Sequence, residues 1–342
     1  MRRWALAAVA GAVVALASGC GGGGDVGGGA STSITLYSGQ HQQTTQSLVA
    51  AFEKDTGIKV QVRYNDEDFL ANEIVAEASH PKADVFYTEN SPALEYLQEK
   101  GLLAPVRAST LAEVPAKYDS PKGEWVGISA RVSVVVYNPK LLPRSEVPRS
   151  VLGLAAPEYK GKLALAPSET DFQPIVTAVD RAYGEARTLE WLRRVRANAA
   201  GHVYSDNEAI TSEVNRGAVA LGVINQYYWY RLRAEIGASG VHSAIAHFAP
   251  DDPGYVVDVS GAAALRSSRH PGADQRFLAF LVSKQGQEVL AGSDSFEYPL
   301  AHGVKPGTGE TPFGQLRPYP ITIAELGDGG PARTLLRKAG LQ

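Results

Sequence analysis

Three short segments carry side chains able to hold a ligand. They are His41 in Ser38-Gly39-Gln40-His41, Glu89 in Asp84-Val85-Phe86-Tyr87-Thr88-Glu89, and the aromatic run Tyr227-Tyr228-Trp229-Tyr230 behind Ile224-Asn225-Gln226. Imidazole, carboxylate and phenol together could coordinate a metal ion. The same aromatic run could instead stack on an organic solute while a carboxylate pairs with its amines. Each residue also has a structural role open to it. A histidine in a turn is more often no ligand at all, Glu89 could cap a helix opened by Ser91-Pro92, and tyrosine clusters commonly pack. What unites the three is their place, since each follows an apolar run with strand character, and ligands of open α/β sheets bind beyond strand ends.

The elements that must position them follow from periodicity. Ile34-Thr35-Leu36-Tyr37 reads as a strand and Ser38-Gly39-Gln40 as a turn. A helix follows from about Gln42 to Thr56, with Leu48, Val49 and Phe52 on its apolar face and Gly57 as its stop. Ile58 to Val62 alternates as a strand, a helix runs through Leu70 to Ala78, and Ala83 to Tyr87 is a buried strand. Strand and helix alternating in this way predict α/β architecture with a largely parallel sheet. Val219 to Ile224 reads as a further buried strand, with a helix starting over Trp229 to Glu235. Tyr227 and Tyr228 therefore fall at the strand-to-helix turn, with Asn225 as the N-cap, where adjacent side chains can converge and the helix dipole favours phenolate.

Two β-rich runs, Val132 to Tyr137 and Val256 to Ala264, break the alternation and are long enough to cross between two lobes. About 310 residues beyond the N-terminal segment exceed the usual single-core size. The expected division is a first lobe of residues 33–133 plus 259–305 and a second of 134–258 plus 306–342.

The N-terminal segment has its own logic. Arg2 and Arg3 precede an uncharged run from Trp4 to Ala17, closed by Leu16-Ala17-Ser18-Gly19-Cys20. This is the layout of a secretory signal over residues 1–19. The Cys after small residues resembles a bacterial lipoprotein processing box, which implies acylation of Cys20. Ala17 stands where such boxes usually carry Leu. Cys20 is the sole cysteine, which excludes an intramolecular disulfide and a multi-thiolate metal site. Gly21 to Gly24 and Gly27 to Gly29 make residues 20–32 a flexible tether. Without the signal, 31 basic residues face 36 acidic ones, a net charge of −5, which gives no support to nucleic-acid binding.

The stretch Ile34 to Thr56, with Tyr37-Ser38-Gly39-Gln40-His41, resembles the start of bacterial ferric-ion-binding proteins. So do Asp84 to Glu89 and Ile224 to Trp229. The resemblance runs from about residue 34 to 300. It implies a two-lobed type II periplasmic-binding-protein fold, each lobe a mostly parallel sheet flanked by helices, joined by crossover hinge strands. It further implies an extracytoplasmic, monomeric iron carrier that serves the permease and ATPase subunits of an ABC transporter. His41, Glu89, Tyr227 and Tyr228 match the family's ligands to Fe3+. The chemistry agrees, because ferric ion is small and hard and favours anionic oxygen, and a strongly polarising ion can displace the proton of a phenol whose pKa is near 10.

Four protein atoms leave two octahedral positions for water or a synergistic anion. Asn207 and Asn225 match positions that hold the anion in phosphate-using relatives, Asn90 replaces a Gln beside the carboxylate, and Arg131 could hold a small anion with its planar fork or form a structural ion pair. The loop Ser168-Glu169-Thr170-Asp171 departs from the small, neutral loop of those relatives. Two carboxylates there would repel phosphate, which favours carbonate, a citrate-type chelate or water, or lets one acid ligate iron itself. The competing expectation keeps the fold but places a polyamine, thiamine, a similar organic solute or an oxyanion in the cleft. An enzyme finds no support: the seven His residues form no H-E-x-x-H, and no G-x-S-x-G elbow is present.

Overall fold

The computed structural model describes residues 33–77, 80, 82–307 and 310–342. The signal, Cys20 and the glycine tether lie outside the described residues. Nine strands are found among them: β1 Ser33–Ser38, β2 Lys59–Tyr64, β3 Val85–Thr88, β4 Val126–Tyr137, β5 Leu163–Ala164, β6 Leu221–Asn225, β7 Ala244–Ala246, β8 Val257–Ala264 and β9 Tyr298–Pro299. Their order is β2-β1-β3-β8-β4-β6-β5, with β7 and β9 also paired to β4. The expected parallel pairing holds in β2-β1-β3 and in β5-β6. β4 and β8 return through the sheet and run antiparallel to their neighbours.

β4 is the strand on which the two halves of the sheet depend. From Val126 to Val132 it pairs with β8, and from Ser133 to Tyr137 it pairs with β6. All twelve of its residues are buried, including Ser129, Arg131 and Ser133. The Val/Tyr run marks only its second half, because the polar residues of the first half mask an equally buried strand. β8 begins at Val257, one residue from the expected start.

The helix after β1 spans Gln42–Thr56 as expected, and Gly57 closes it at φ +73°, where its N–H donates to the Glu53 carbonyl. Its Phe52 packs edge-on against Phe277 and Phe280, at ring-centroid distances of 4.9 and 5.5 Å. The next helix, Glu67–Ala76, starts three residues earlier than its apolar pattern, because Asp66 caps it by accepting from Asp68 N–H and Phe69 N–H. Glycine is required at position 39, where a Cβ would lie 2.5 Å from the Glu67 Cβ. The turn that delivers His41 therefore rests directly on the start of the Glu67 helix.

Candidate metal centre

His41 takes the N-cap position of the Gln42–Thr56 helix, immediately beyond β1. Glu89 follows β3, and its loop is fixed from below by Glu67. One buried Glu67 oxygen accepts the backbone N–H groups of Glu89 and Asn90, both at 2.8 Å. Gly39 N–H donates to the Tyr87 carbonyl at 2.8 Å, which ties the His41 turn to the Glu89 strand.

The helix Gln226–Ile236 follows β6 without a loop, three residues earlier than its hydrophobic pattern suggests. Asn225 has the extended backbone of an N-cap, but its side chain caps nothing, contrary to the role expected of it. Tyr227 and Tyr228 lie in the first turn, both buried, with ring centroids 4.1 Å apart.

The four residues singled out in the sequence meet. His41 Nε2 is 2.9 Å from Glu89 Oε1 and 3.2 Å from the Tyr227 hydroxyl. The Tyr227 hydroxyl also donates to Glu89 Oε1. Tyr228 is joined through Asp171, one of the two loop acids for which the sequence left open phosphate repulsion or direct ligation of iron. Asp171 Oδ2 lies 3.0 Å from the Tyr228 hydroxyl and 3.4 Å from that of Tyr227. Glu169 Oε1 accepts from Tyr228 at 3.2 Å.

Two of the amides expected to hold an anion bond to Asp171. Asn207 Nδ2 donates to Asp171 Oδ2 at 2.9 Å, and Asn90 Nδ2 lies 3.0 Å from Asp171 Oδ1. Asn225 lines the same small cavity as Asp171 and Asn207. Arg131 is fully buried and pairs with Glu297 at 3.1 Å, with Asn90 Oδ1 at 3.4 Å and Glu89 Oε1 at 4.0 Å. Its two terminal nitrogens are thus engaged by protein groups, while its buried Nε has no hydrogen-bond partner among the described residues.

The electrostatics describe a site rich in acid. Burial pushes both tyrosine hydroxyls well above their ordinary range, and the Asp171 and Glu89 carboxylates push them further. Burial, then Asp171 and Glu89, raise the Glu169 carboxyl to about 10, and its Oε2 has no hydrogen-bond partner among the described residues. Burial and Glu89 raise Asp171 to about 6, against the pull of Arg131. Glu89 is the exception. Burial would raise it, but His41, Arg131 and the Tyr227 hydrogen bond together hold it well below the usual carboxylate range. Three carboxyl groups and two phenols thus face a single buried guanidinium that Glu297 already neutralises. Such a cluster is stabilised by a cation that takes the phenolic protons' place.

The rings do not form a stacking wall for an organic solute. Tyr227 and Tyr228 present no free face: each ring meets His41 edge-on and the other tyrosine, and the Arg231 guanidinium lies 4.7 Å from the Tyr227 centroid. Trp229 and Tyr230 pack on each other, and Tyr230 stacks on Phe296. A cleft of about 460 Å³ opens beside His41, lined by Gln43, Glu208, Arg231, Glu235 and Phe296.

A sheet of two halves joined by return strands, with hard oxygen donors and one imidazole gathered at its strand ends, defines a binding protein for a hard cation. The bacterial extracellular solute-binding protein family matches residues 80–311, and the chain belongs to that family. It is 39% identical over 308 residues to the Fe(3+)-binding periplasmic protein of Serratia marcescens, covering 90% of each chain. Among solved structures it is similar to iron-bound HitA from Pseudomonas aeruginosa, with a TM-score of 0.86 and 37% identity over 91% of this chain and all of that one. It is also similar to the Trichodesmium IdiA (FutA) protein in complex with iron and citrate ligands, with a TM-score of 0.79 and 28% identity, again over 91% of this chain and all of the other.

Proposed function

We propose that this protein captures Fe3+ outside the cytoplasmic membrane and delivers it to an ABC transporter. The observation that carries this reading is the convergence of the Tyr227 and Tyr228 hydroxyls on Glu89, His41 and Asp171. The iron-binding relatives support the same reading over nearly the whole chain. Two phenolates, the Glu89 carboxylate and the His41 imidazole are the ligand set, and all four protein donors are hard or borderline, as ferric ion prefers.

Asp171 is the fifth protein donor in this proposal. Its carboxylate is held by Asn90 and Asn207, the amides expected to hold a separate anion, so the protein carries its own anion. Four anionic oxygens then face a trivalent ion, and phosphate is not needed. The first lobe, residues 33–133 plus 259–305, brings His41 and Glu89. The second, residues 134–258 plus 306–342, brings Asp171, Tyr227 and Tyr228. Closure about β4 and β8 completes the set, and opening dismantles it.

Cys20 carries the lipid in this account, and the glycine tether keeps the binding domain near its permease, raising its local concentration there. No helix among the described residues is long and apolar enough to cross a membrane.

Titration of the protein with ferric citrate, followed by visible absorption, tests the function. A phenolate-to-iron charge-transfer band saturating at one ion per chain is expected. Absence of any band, with an organic solute bound instead, overturns the reading.

A further inference from the structure

Glu297 stands behind the site and touches none of the four sequence-identified ligands, yet the three segments that carry them lead back to it or to its neighbour Phe296. Its carboxylate is fully buried and accepts from Arg131 Nη2 at 3.1 Å, from Gln40 Nε2 at 3.1 Å and from the Ser129 hydroxyl. Gln40 in turn accepts the backbone N–H of His41 at 2.7 Å, and Arg131 reaches Glu89 Oε1 at 4.0 Å. The neighbouring carbonyl, that of Phe296, accepts from Gln226 Nε2 at 3.1 Å, while Gln226 Oε1 accepts the β4 N–H of Val132 at 2.8 Å. Gln226 directly precedes Tyr227. The His41 turn, the Glu89 loop and the tyrosine helix are thus all referred to residues 296–297.

Charge gives this hub a second consequence. Arg131 places a full positive charge, without solvent, beside the Glu89 carboxylate and 5.7 Å from the centre of the Tyr227 ring. Loading a trivalent ion makes the site more positive even after two phenolic protons have left. An uncompensated guanidinium at this range therefore opposes iron. Glu297 is the group that cancels it.

We propose that Glu297 is a positioning residue for ferric binding, holding the Arg131 charge neutral and the ligand segments in register. This rests on the ligand set given above. It assigns to a residue without direct contact with the ion a control over affinity that acts through Arg131.

The test is a double-mutant cycle on the full chain, reading ferric affinity by competition with citrate and folding by thermal unfolding of the iron-free protein. Glu297→Gln keeps size and one acceptor oxygen for Arg131 and Gln40, and can donate to the Ser129 hydroxyl from its amide nitrogen. It leaves Glu89 at 4.0 Å as the remaining ion-pair partner of Arg131, so iron should weaken on the order of tenfold to a hundredfold from charge alone. Arg131→Gln alone should weaken iron by less than about tenfold, because the opposing charge leaves together with the Glu89 contact. Combining the two should recover most of the loss, a rescue that a purely structural role for Glu297 would not give. Parental affinity in Glu297→Gln, or a double variant no tighter than Glu297→Gln, overturns the proposal. If Glu297→Gln does not fold, Arg131→Gln decides, since a tenfold or greater weakening there would show that Arg131 assists iron and needs no cancelling. Iron binding by the parent in the same assay separates failure of this inference from failure of the ferric reading.

Discussion

Replacing Asp171 by Asn tests whether the protein supplies its own anion. The amide has the size of the carboxylate and can still accept from Asn207 and Tyr228, which lie 2.9 and 3.0 Å from Oδ2. What changes is one negative charge and the acceptor that Oδ1 offers Asn90 Nδ2 at 3.0 Å. Asp171 titrates at about 6, raised by burial and by Glu89, so it is ionised at pH 7 and above. Even treated as an unbonded charge about 4 Å from the ion, it contributes about 4 kcal/mol per unit of charge gained by the site, at an effective dielectric near 20. Ferric affinity should therefore fall by roughly a hundredfold to a thousandfold. The assay is competition with citrate in phosphate-free buffer, repeated with added phosphate and with bicarbonate. Asp171→Ala, which also makes room, should regain part of its affinity from one of these anions, whereas the parent should gain nothing from phosphate. Parental affinity in Asp171→Asn, or marked tightening of the parent by phosphate, would refute the reasoning.

Tyr227→Phe and Tyr228→Phe should each abolish or strongly weaken the visible band while keeping the rings' packing, and His41→Ala and Glu89→Ala should each do less; unchanged colour in either phenylalanine variant would remove that tyrosine from the ligand set. Iron-free protein should become more stable as pH falls from 8 towards 5. Asp171 and Glu169 both bind protons more tightly folded than unfolded, so their stabilising effect is complete below the ordinary carboxylate range and is lost as pH rises through about 6 and about 10. For Asp171 this amounts to about 3 kcal/mol; Glu89, shifted the opposite way, matters only below the ordinary range. Iron-loaded protein should show the reverse trend, releasing the ion in acid as protons return to the phenols, and parallel melting curves for the two forms across this range would count against the site. Cys20→Ala should leave the domain folded but shift it out of the membrane fraction, and identical fractionation of variant and parent would exclude the lipid anchor.

Much of this site could be read from residue order because local rules fix it. The helix after β1 ends where Gly57 adopts a left-handed turn, and both His41 and Glu89 sit at strand ends that periodicity marks. The strand-to-helix junction at Asn225 and Gln226 was legible to within three residues. What was not legible depends on tertiary burial of charge. Glu67 lies in the run Asn65-Asp66-Glu67-Asp68, which has the composition of a solvated turn, yet it is buried beneath the Glu89 loop. Glu297 and Arg131 are more than 160 residues apart and are both enclosed, a pairing that no spacing rule announces. Glu169 and Asp171 were visible as an odd loop with an open role, since their direction depends on the short helix Thr170–Phe172. Periodicity marks β4 only from Val132 because the buried Ser129 and Arg131 interrupt the apolar pattern before it.

The ligand assignment as a whole is tested most directly by diffraction from crystals of the iron-loaded protein, with data collected on either side of the iron absorption edge. The account predicts one anomalous peak within coordinating distance of the Tyr227 and Tyr228 hydroxyls, Glu89, His41 Nε2 and Asp171 Oδ2. A peak that excludes either tyrosine, or one with a separate phosphate at the ion and Asp171 turned away, would contradict it.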